Sequence, residues 1–293
     1  MAFNTGQREL VMGSDVQNGA SGAANAVTCT ITASEPGIFD MDRVVFGLMG
    51  DDANIQGADF TNQGMVTSIL VQNSIELIRG RNNPAAPTSA FTGTRGIASA
   101  IPLGKFALQT GDTIAATIST GGSAVDWSAQ FAAPYLPRNS RGASTPLPAW
   151  QPTYAASPLT NIATAGAPGT GTAGNLTITF DEDGVMDLTS LQLGGINETG
   201  NIGNGTYKDG LGGCNVSSIQ LPSSNVVLVG QNNPASPATM WAPGRSYTWA
   251  NFGAYAVSAG STLVVTVNNF LPDDVDVSAG LRFFPKGGPA IRG

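Results

Sequence analysis

The chain has 293 residues, of which only 11% are charged, and it contains 38 glycines, 18 prolines and no histidine. An average globular protein has roughly 25% charged residues, and a long coiled coil needs more Glu, Lys and Arg than this sequence has. The absence of histidine excludes Ser-His-Asp triads, Cys-His pairs and histidine-ligated zinc. The net charge of −7 argues against direct nucleic-acid binding, and no apolar run is long enough for a transmembrane helix. The first 12 residues also lack the apolar core of a signal peptide.

Short apolar runs rich in Val, Ile, Thr and Phe, bounded by turn residues, predict strands along the whole chain. In the first half, strands are predicted at 26–32, 43–49, 65–71, 74–78, 96–103, 113–118 and 125–133. Alternation of Val125, Trp127, Ala129 and Phe131 with polar or small residues predicts a last strand with one buried and one wet face. In the second half, strands are predicted at 175–180, 188–193, 216–221, 225–229, 247–249, 262–267 and 275–284. This density of strands predicts antiparallel sandwiches or barrels.

The sequence repeats itself in order. Residues 80–87 and 230–237 match at six of eight positions, at an offset of 150, and residues 66–69 match 216–219 at the same offset. Residues 30–32 match 177–179 at an offset of 147, a register in which Asp40 meets Asp187 and Gly47 meets Gly194. Residues 111–114 meet 260–263 at an offset of 149. Matches that keep the same order, with offsets that differ by only a few residues, indicate two homologous domains that differ by loop insertions. We therefore expect Ile69 to superpose on Ile219, and Asn83 on Asn233.

These observations divide the chain into four parts. Residues 1–22 are predicted to be an N-terminal arm with one short helix or strand, and residues 23–137 a first β-sandwich. Residues 138–171 form a proline-rich connector, which is predicted to stay out of sheet interiors because proline lacks a backbone donor. Trp150 and Tyr154 within it predict that the connector lies against a domain surface. Residues 172–293 form the second sandwich.

The repeated Asn-Asn-Pro-Ala-x-Pro loop has two interpretations. It follows a predicted strand directly, and asparagine tolerates left-handed turn geometry, so it is predicted to close each sandwich in the same way. The functional alternative is a loop that faces neighbouring subunits.

Carboxylates cluster at Asp40 with Asp42, Asp51 with Asp52, residues 181–183, and Asp273, Asp274 and Asp276. Paired carboxylates can catalyse glycoside hydrolysis or bind calcium, but all these clusters lie at predicted strand ends, where Asp caps turns. Cys29 and Cys214 are predicted to be small buried thiols, with a disulfide as the alternative. The sequence therefore predicts no catalytic, cofactor-binding or metal-ligating residue and no enzyme activity, with a calcium ion on a carboxylate cluster left open.

Two tandem all-β sandwiches joined by an extended connector resemble the double jelly-roll major capsid proteins of tailless icosahedral viruses, especially the small ones of bacterial viruses. The resemblance covers residues 23–285 and is architectural, so no functional residue is carried over. It implies two jelly rolls per chain and homotrimers that tile a virus shell as pseudo-hexagons. It also implies contacts with neighbouring capsomers and other virion proteins, contact with an internal membrane in some relatives, and assembly in the host cytoplasm. A surface of low charge suits buried interfaces between subunits.

Two other classes remain as alternatives. A two-module carbohydrate-binding protein, adhesin or virus fibre would expose Trp or Tyr to stack on sugars, and the candidates are Trp127, Trp150, Trp241 and Trp249. A β-sandwich hydrolase would need a pair of carboxylates in a cleft.

Overall fold

The computed structural model describes residues 11–20, 26–50, 64–91, 103–120, 126–137, 152–165, 171–197, 211–223, 225–227, 235–241, 252–271 and 274–287. Within these ranges the chain is built almost entirely from strands, with short 3-10 turns such as Met41–Arg43, Thr88–Ala90 and Ala238–Trp241. No helix among the described residues is long and apolar enough to cross a membrane.

The first sandwich contains eleven strands within the described residues: β1 (Val11–Gly19), β2 (Ala26–Thr32), β3 (Gly37–Asp40), β4 (Val45–Gly50), β5 (Met65–Val71), β6 (Ile75–Glu76), β7 (Ile78–Arg79), β8 (Ala86–Pro87), β9 (Lys105–Leu108), β10 (Thr113–Ser119) and β11 (Trp127–Pro137). One sheet has the order β1-β11-β3-β9, with β4 also on β11. The facing sheet has the order β2-β10-β5, with β6 and β8 both on β5.

The second sandwich contains β12 (Thr153–Ala156), β13 (Thr160–Ile162), β14 (Thr172–Thr179), β15 (Gly184–Asn197), β16 (Cys214–Gln220), β17 (Ser236–Pro237), β18 (Ala254–Val257), β19 (Thr262–Asn269) and β20 (Val275–Pro285). One sheet has the order β18-β15-β20-β12, with β13 also on β20, and the other has the order β14-β19-β16-β17. Each sandwich has two sheets with four strand positions each. Successive strands of the chain occupy these positions in the same order in both sandwiches. This is the double-sheet topology of a jelly roll, so the predicted pair of antiparallel all-β sandwiches is confirmed.

The two sandwiches match in register as well as in order. In the first, Ile69 pairs with Ala116, and Thr67 is the extra residue of a bulge between β5 and β10. In the second, Ile219 pairs with Val265, and a bulge leaves Ser217 as the extra residue between β16 and β19. Because a bulge displaces every later pair of a ladder, its repetition at an offset of 150 confirms that Ile69 and Ile219 occupy the same place. Asn233, the partner predicted for Asn83, lies outside the described residues.

Each sandwich has its own core, formed where the inward faces of its two sheets meet. The first contains Phe39, Phe46, Phe91, Trp127 and Phe131, and the second contains mostly aliphatic side chains around Phe180 and Phe283. The alternation of β11 is as predicted: Trp127, Ala129 and Phe131 are buried, and the residues between them are partly exposed. Burial of apolar area of this extent is the main stabilising contribution to each sandwich.

The predicted arm and the predicted connector each contribute a strand to a sandwich, and the two strands occupy equivalent positions. Within the predicted arm, β1 pairs with β11 from Val11↔Tyr135 to Gly19↔Trp127. Within the predicted connector, β12 pairs with β20 from Thr153↔Phe283 to Ala156↔Gly280. The prediction that the connector stays out of sheet interiors is therefore wrong for β12. The reason is local: the prolines stand on either side, at Pro152 and Pro158, and leave the backbone donors between them free to pair.

Candidate functional site

The carboxylates that the sequence singles out hold the fold together. Asp40 lies 3.6 Å from Lys105 Nζ, and its matched residue Asp187 accepts hydrogen bonds from Arg282 Nε at 3.2 Å and Nη2 at 2.5 Å. Each also caps the following turn through its Oδ1, which accepts the backbone N–H of Asp42 or Thr189. The predicted turn-capping role therefore holds at both positions.

The remaining described carboxylates of these clusters are engaged in the same way. Their partners are Gly104 N for Asp42, Ala259 N for Asp183, Thr164 N for Asp274 and Asn161 Nδ2 for Asp276. Among the residues that the structure describes, no group of three or more Cys, Asp or Glu side chains is placed to hold a metal ion. Asp51, Asp52 and Asp273 lie outside those residues.

Cys29 and Cys214 are free thiols buried in separate cores. The Cys29 thiol donates to the carbonyl of Ala129 at 3.5 Å. Burial, reinforced by the carboxylate of Asp15, raises the pKa of Cys29 to about 11. A thiol that stays protonated at neutral pH is a poor nucleophile. Both cysteines therefore act as small apolar side chains, and the disulfide alternative is wrong.

The described tryptophans do not form a sugar-stacking surface. Trp127 and Trp241 are both buried, the first in the core of its sandwich and the second against Phe252 with ring centroids 5.6 Å apart. Trp150 and Trp249 lie outside the described residues. Stacking on a sugar needs an exposed aromatic face, so neither described tryptophan supports the adhesin alternative.

A buried ion pair joins the two sandwiches. Arg79, at the end of β7, is buried and donates through Nε at 3.1 Å and Nη2 at 2.8 Å to Asp181 Oδ2. Its Nη2 also lies 2.7 Å from Glu182 Oε1. Burial raises the pKa of Glu182, an effect that the charge of Arg79 opposes and those of Asp181 and Asp183 reinforce. One guanidinium of the first sandwich thus contacts two carboxylates of the second and offsets part of their negative charge.

A cavity of about 440 Å³ lies beside this ion pair and is lined by Glu76, Arg79, Asn83 and Asp181, among others. A β-sandwich hydrolase would need a free carboxylate pair in a cleft, and this cavity has Glu76 and Asp181 in its lining. Glu76 accepts the Ser68 hydroxyl at 3.1 Å and the Ile69 N–H at 3.1 Å, and Asp181 is held by Arg79. Both carboxylates are therefore engaged in fixing strands.

Strand β12 makes the junction continuous. It pairs antiparallel with β20 on one side and parallel with β7 of the first sandwich on the other. The Tyr154 ring, by contrast, packs within the first core, 5.3 Å from the Phe91 ring. The backbone of β12 therefore pairs with both sandwiches, and its Tyr154 side chain packs in the first core. The two sandwiches are fixed to each other rather than loosely tethered.

The Asn-Asn-Pro loop of the first sandwich also faces the junction. Asn82 and Asn83 are exposed and have φ of 64° and 59°, the left-handed geometry predicted for them. Beyond them, Pro84 bridges to Pro158, and the Ala85 N–H donates to the Ser157 carbonyl at 2.9 Å. The loop therefore both closes its own sandwich and contacts the strand segment of the neighbouring one.

Sequence reasoning missed the residues that build this junction, namely Arg79 and the pairing partners of β12. The only signals were Tyr154 in an otherwise small-residue connector and an arginine in the apolar run that precedes Gly80. Neither signal indicates which residue is contacted, because the partners are distant in sequence: Arg79 and Asp181 are 102 residues apart.

No protein-family model matches the sequence, and no curated protein matches it. Solved structures do. The major capsid protein of Sulfolobus turreted icosahedral virus is 12% identical with a TM-score of 0.37, over 94% of this chain and 97% of that one. The major capsid protein of bacteriophage PM2 is 9% identical with a TM-score of 0.37, over 97% of this chain and 98% of that one. A peptide-N-glycosidase-type asparagine amidase is 11% identical with a TM-score of 0.31, over 97% of this chain and all of that one.

These matches span nearly the full length of each chain. Their TM-scores lie below the range that defines a common fold, and they include both capsid proteins and an enzyme. The two-jelly-roll architecture therefore rests on the strand order and register of the chain itself.

Proposed function

We propose that the chain is a structural protein, the major capsid protein of an icosahedral virus, and that it assembles as a homotrimer that tiles the shell. The observation that carries this proposal is the fixed pair of matched jelly rolls. The two sandwiches share topology and bulge position, and strand β12 and Arg79 join them into one unit.

Such a pair suits a closed shell. Two similar sandwiches per chain give six in a threefold assembly, so three chains approximate sixfold packing with similar contacts around the ring. A rigid junction is needed for this, because a flexible linker would let the two sandwiches choose many relative orientations. The continuous β-pairing through β12 supplies that rigidity.

The chemistry of the outer sheet faces points the same way. On β11 the partly exposed positions include Ser128, Gln130 and Ala132, and on β19 they are Thr262, Val264, Thr266 and Asn268. Small uncharged side chains of this kind can be buried between subunits without the desolvation cost of a charge. Only 11% of the residues are charged. A protein that stays monomeric would be more soluble with a larger charged fraction.

Within this proposal the protein is found in the virion after assembly in the host cytoplasm, where it contacts copies of itself and other virion proteins. In this proposal the chain has no catalytic role and requires no cofactor. Each described member of the carboxylate clusters already has a protein partner, which supports assembly without calcium at those residues. We expect EDTA to leave both the oligomeric state and the melting temperature unchanged.

The test is the mass of the purified chain at about 20 µM, by sedimentation or light scattering, followed by electron microscopy of concentrated samples. We expect a species of three times the 29.8 kDa chain mass and, at higher concentration, shell-like or hexagonally packed particles. A stable monomer that forms no larger species would overturn the proposal. A monomer that also bound glycans on an array would favour the adhesin alternative.

A further inference from the structure

Within the chain, one end of the first sandwich lies on a sheet face of the second. Pro87, on β8, lies directly over Gly194 of β15, so closely that a Cβ on Gly194 would overlap the proline ring. Beside it, the Ser278 hydroxyl of β20 donates to Met65 Sδ at 3.5 Å. Both Met65 and Pro87 are buried by this contact. We call Met65 and Pro87 the plug, and Gly194 and Ser278 the seat.

The duplication places a second seat on the first sandwich. Gly47 pairs with Gln130, as Gly194 pairs with Ser278 in the second sandwich. These residues are the register mates of the seat, at offsets of 147 and 148. Along β20, seven consecutive residues that include Ser278 are buried, so both faces of the strand are covered there, whereas along β11 Gln130 and its outward neighbours are partly exposed. The first sandwich therefore presents the same sheet face with no described residue covering it.

The second sandwich likewise carries an uncovered plug. Asn215 and Pro237 pair with each other, as Met65 and Pro87 do in the first sandwich, at an offset of 150. Pro237 is exposed and Asn215 is half-buried. Within the described part of the chain, the seat on the first sandwich and the plug on the second are thus both uncovered.

Gly47 gives evidence for a contact at the second seat that does not depend on the repeat alone. At the matched position glycine is required, because Pro87 occupies the space of a side chain. At Gly47 a Cβ would have only ordinary contact with Gln130, the nearest atom being 3.5 Å away. Glycine in the middle of a strand is destabilising by roughly 0.5–1 kcal/mol relative to alanine. No residue that the structure describes explains a glycine there, whereas a proline from a second chain would.

The residues around Gly47 are apolar or uncharged, which suits contact with the uncharged plug of the second sandwich. Val16, Val45 and Met49 are exposed on the same face, at 55%, 44% and 38% of their surface. The positions between them on β1 and β11 are Ser14, Asn18, Ser128 and Ala132. The face has no charged residue among these positions, and neither Asn215 nor Pro237 is charged, so the two surfaces can meet without an unpaired charge.

We propose that Pro237 and Asn215 of one chain dock on the Gly47–Gln130 face of a second copy, reproducing between chains the contact that Pro87 and Met65 make within one chain. The contact is heterologous, so repetition links chains head to tail and closes into a ring when the rotation permits. This inference rests on the proposed function, to which it adds the residues of the contact between chains.

The first experiment places a charge in the seat. Gly47→Arg has room within the chain but not under a docked proline, and we expect it to weaken association on the order of 100-fold while the circular dichroism spectrum stays that of the wild type. The matched control is Thr32→Arg, at an exposed position on the facing sheet of the same sandwich, which should leave association unchanged.

The second experiment does not depend on the tolerance of Gly47 to a large residue. The double variant Gly47→Cys with Pro237→Cys should form disulfides between chains under mild oxidation, and a non-reducing gel should show covalent dimers and trimers. Neither single variant should do so, because Cys29 and Cys214 are buried.

The two levels of the proposal fail differently. If the wild type forms trimers but the double cysteine variant stays monomeric on the gel and Gly47→Arg still associates, the docking contact is wrong and the capsid function stands. If the wild type is a monomer at 20 µM, the capsid function itself fails, and this inference fails with it.

Discussion

Arg79 is the residue on which the join between the two sandwiches most depends. Its side chain is 5% exposed, and it faces two carboxylates that are about a third exposed. Removing one partner of a buried ion pair costs about 3–5 kcal/mol because the other charge is left unpaired. Partial exposure of Asp181 and Glu182 lets water solvate them, which places the expected cost at the lower end of that range.

We therefore expect Arg79→Met to lower the free energy of unfolding by about 3 kcal/mol, measured by urea denaturation at fixed protein concentration. Arg81→Met is the matched control, since Arg81 is exposed in the same loop, and it should change stability by less than about 0.5 kcal/mol. Equal effects of the two substitutions would contradict the structural role of Arg79.

Asp15 provides a pH-dependent contact between the two sheets of the first sandwich. Its Oδ2 accepts the Thr30 N–H of β2 at 2.7 Å. Partial burial raises the pKa of Asp15, but the hydrogen bonds from Thr30, Gln17 and Val16 outweigh it and hold that pKa below its usual value. A carboxyl whose pKa is depressed by folding contributes stability above its unfolded pKa and loses it as the pH falls through the folded pKa.

Asp15→Ala should accordingly cost about 1–2 kcal/mol at pH 7, and the difference from the wild type should shrink as the pH falls below about 4, towards complete protonation. Urea denaturation at pH 7 and pH 3 would measure both values. Thr32→Ala serves as the control and should show the same small effect at both values of pH. A constant deficit for Asp15→Ala would show that the charge of the carboxylate is unimportant.

Tyr154 carries a polar group that its surroundings do not use. The side chain is fully buried, and its hydroxyl has no hydrogen-bond partner among the described residues. Burial raises the pKa of the phenol well above its ordinary value. An unsatisfied buried hydroxyl costs about 1–3 kcal/mol, whereas the ring fills the space between Phe91 and Gly280.

Tyr154→Phe should therefore raise the melting temperature, by an amount equivalent to about 1 kcal/mol, while Tyr154→Ala should destabilise by about 3–5 kcal/mol through the cavity that it leaves. Differential scanning calorimetry of both variants tests this. A loss of stability in Tyr154→Phe would mean that the hydroxyl has a partner, such as a buried water molecule.

Among the elements, the strands with clear alternation or repetition were predictable, and those defined by distant partners were not. The predicted strands at 26–32 and 65–71 agree with β2 and β5 at both ends. The short strand β12, with the sequence Thr-Tyr-Ala-Ala, is buried at all four positions, so it shows no alternation, and its neighbouring prolines suggested a connector. A strand buried on both faces is recognised by its partners, and here they lie more than 70 residues away in both directions.

The register of the repeat was also predictable, but not the difference between its copies. Gly47 and Gly194 look alike in the sequence. In the structure Gly194 is covered by Pro87, whereas Gly47 is not covered by any residue of its own chain that the structure describes. Which copy of a repeated face is covered depends on how the two sandwiches sit, and that information is held in the junction rather than in either repeat.

Gly47 on β4 and Gly194 on β15 allow a matched test of whether each strand face is covered within the chain. Gly194→Ala should destabilise the isolated chain by about 1–3 kcal/mol, because a Cβ there overlaps Pro87. Gly47→Ala should be neutral or stabilise by about 0.5 kcal/mol. Urea denaturation of dilute, monomeric protein compares the two. Equal destabilisation by both variants would show that the Gly47 face is already covered within the chain.

At the scale of the whole molecule, sparse charge has a consequence for assembly. Screening by salt weakens contacts between charges, chiefly at exposed sites, and leaves apolar and neutral hydrogen-bonded contacts nearly unchanged. The proposed contact between Pro237 and the Gly47–Gln130 face contains no charged residue among the positions named above. The association of chains should therefore depend only weakly on ionic strength.

We expect the dissociation constant of the trimer to change by less than about threefold between 50 and 500 mM NaCl, as measured by sedimentation equilibrium. The double variant Gly47→Glu with Pro237→Lys is the control, because it would place an ion pair in the same contact, and its association should weaken as NaCl rises. A loss of more than about tenfold for the wild type over this range would show that ion pairs dominate the interface. Assembly would then depend on the few charged residues of the chain, and the neutral sheet face of the first sandwich would no longer account for it.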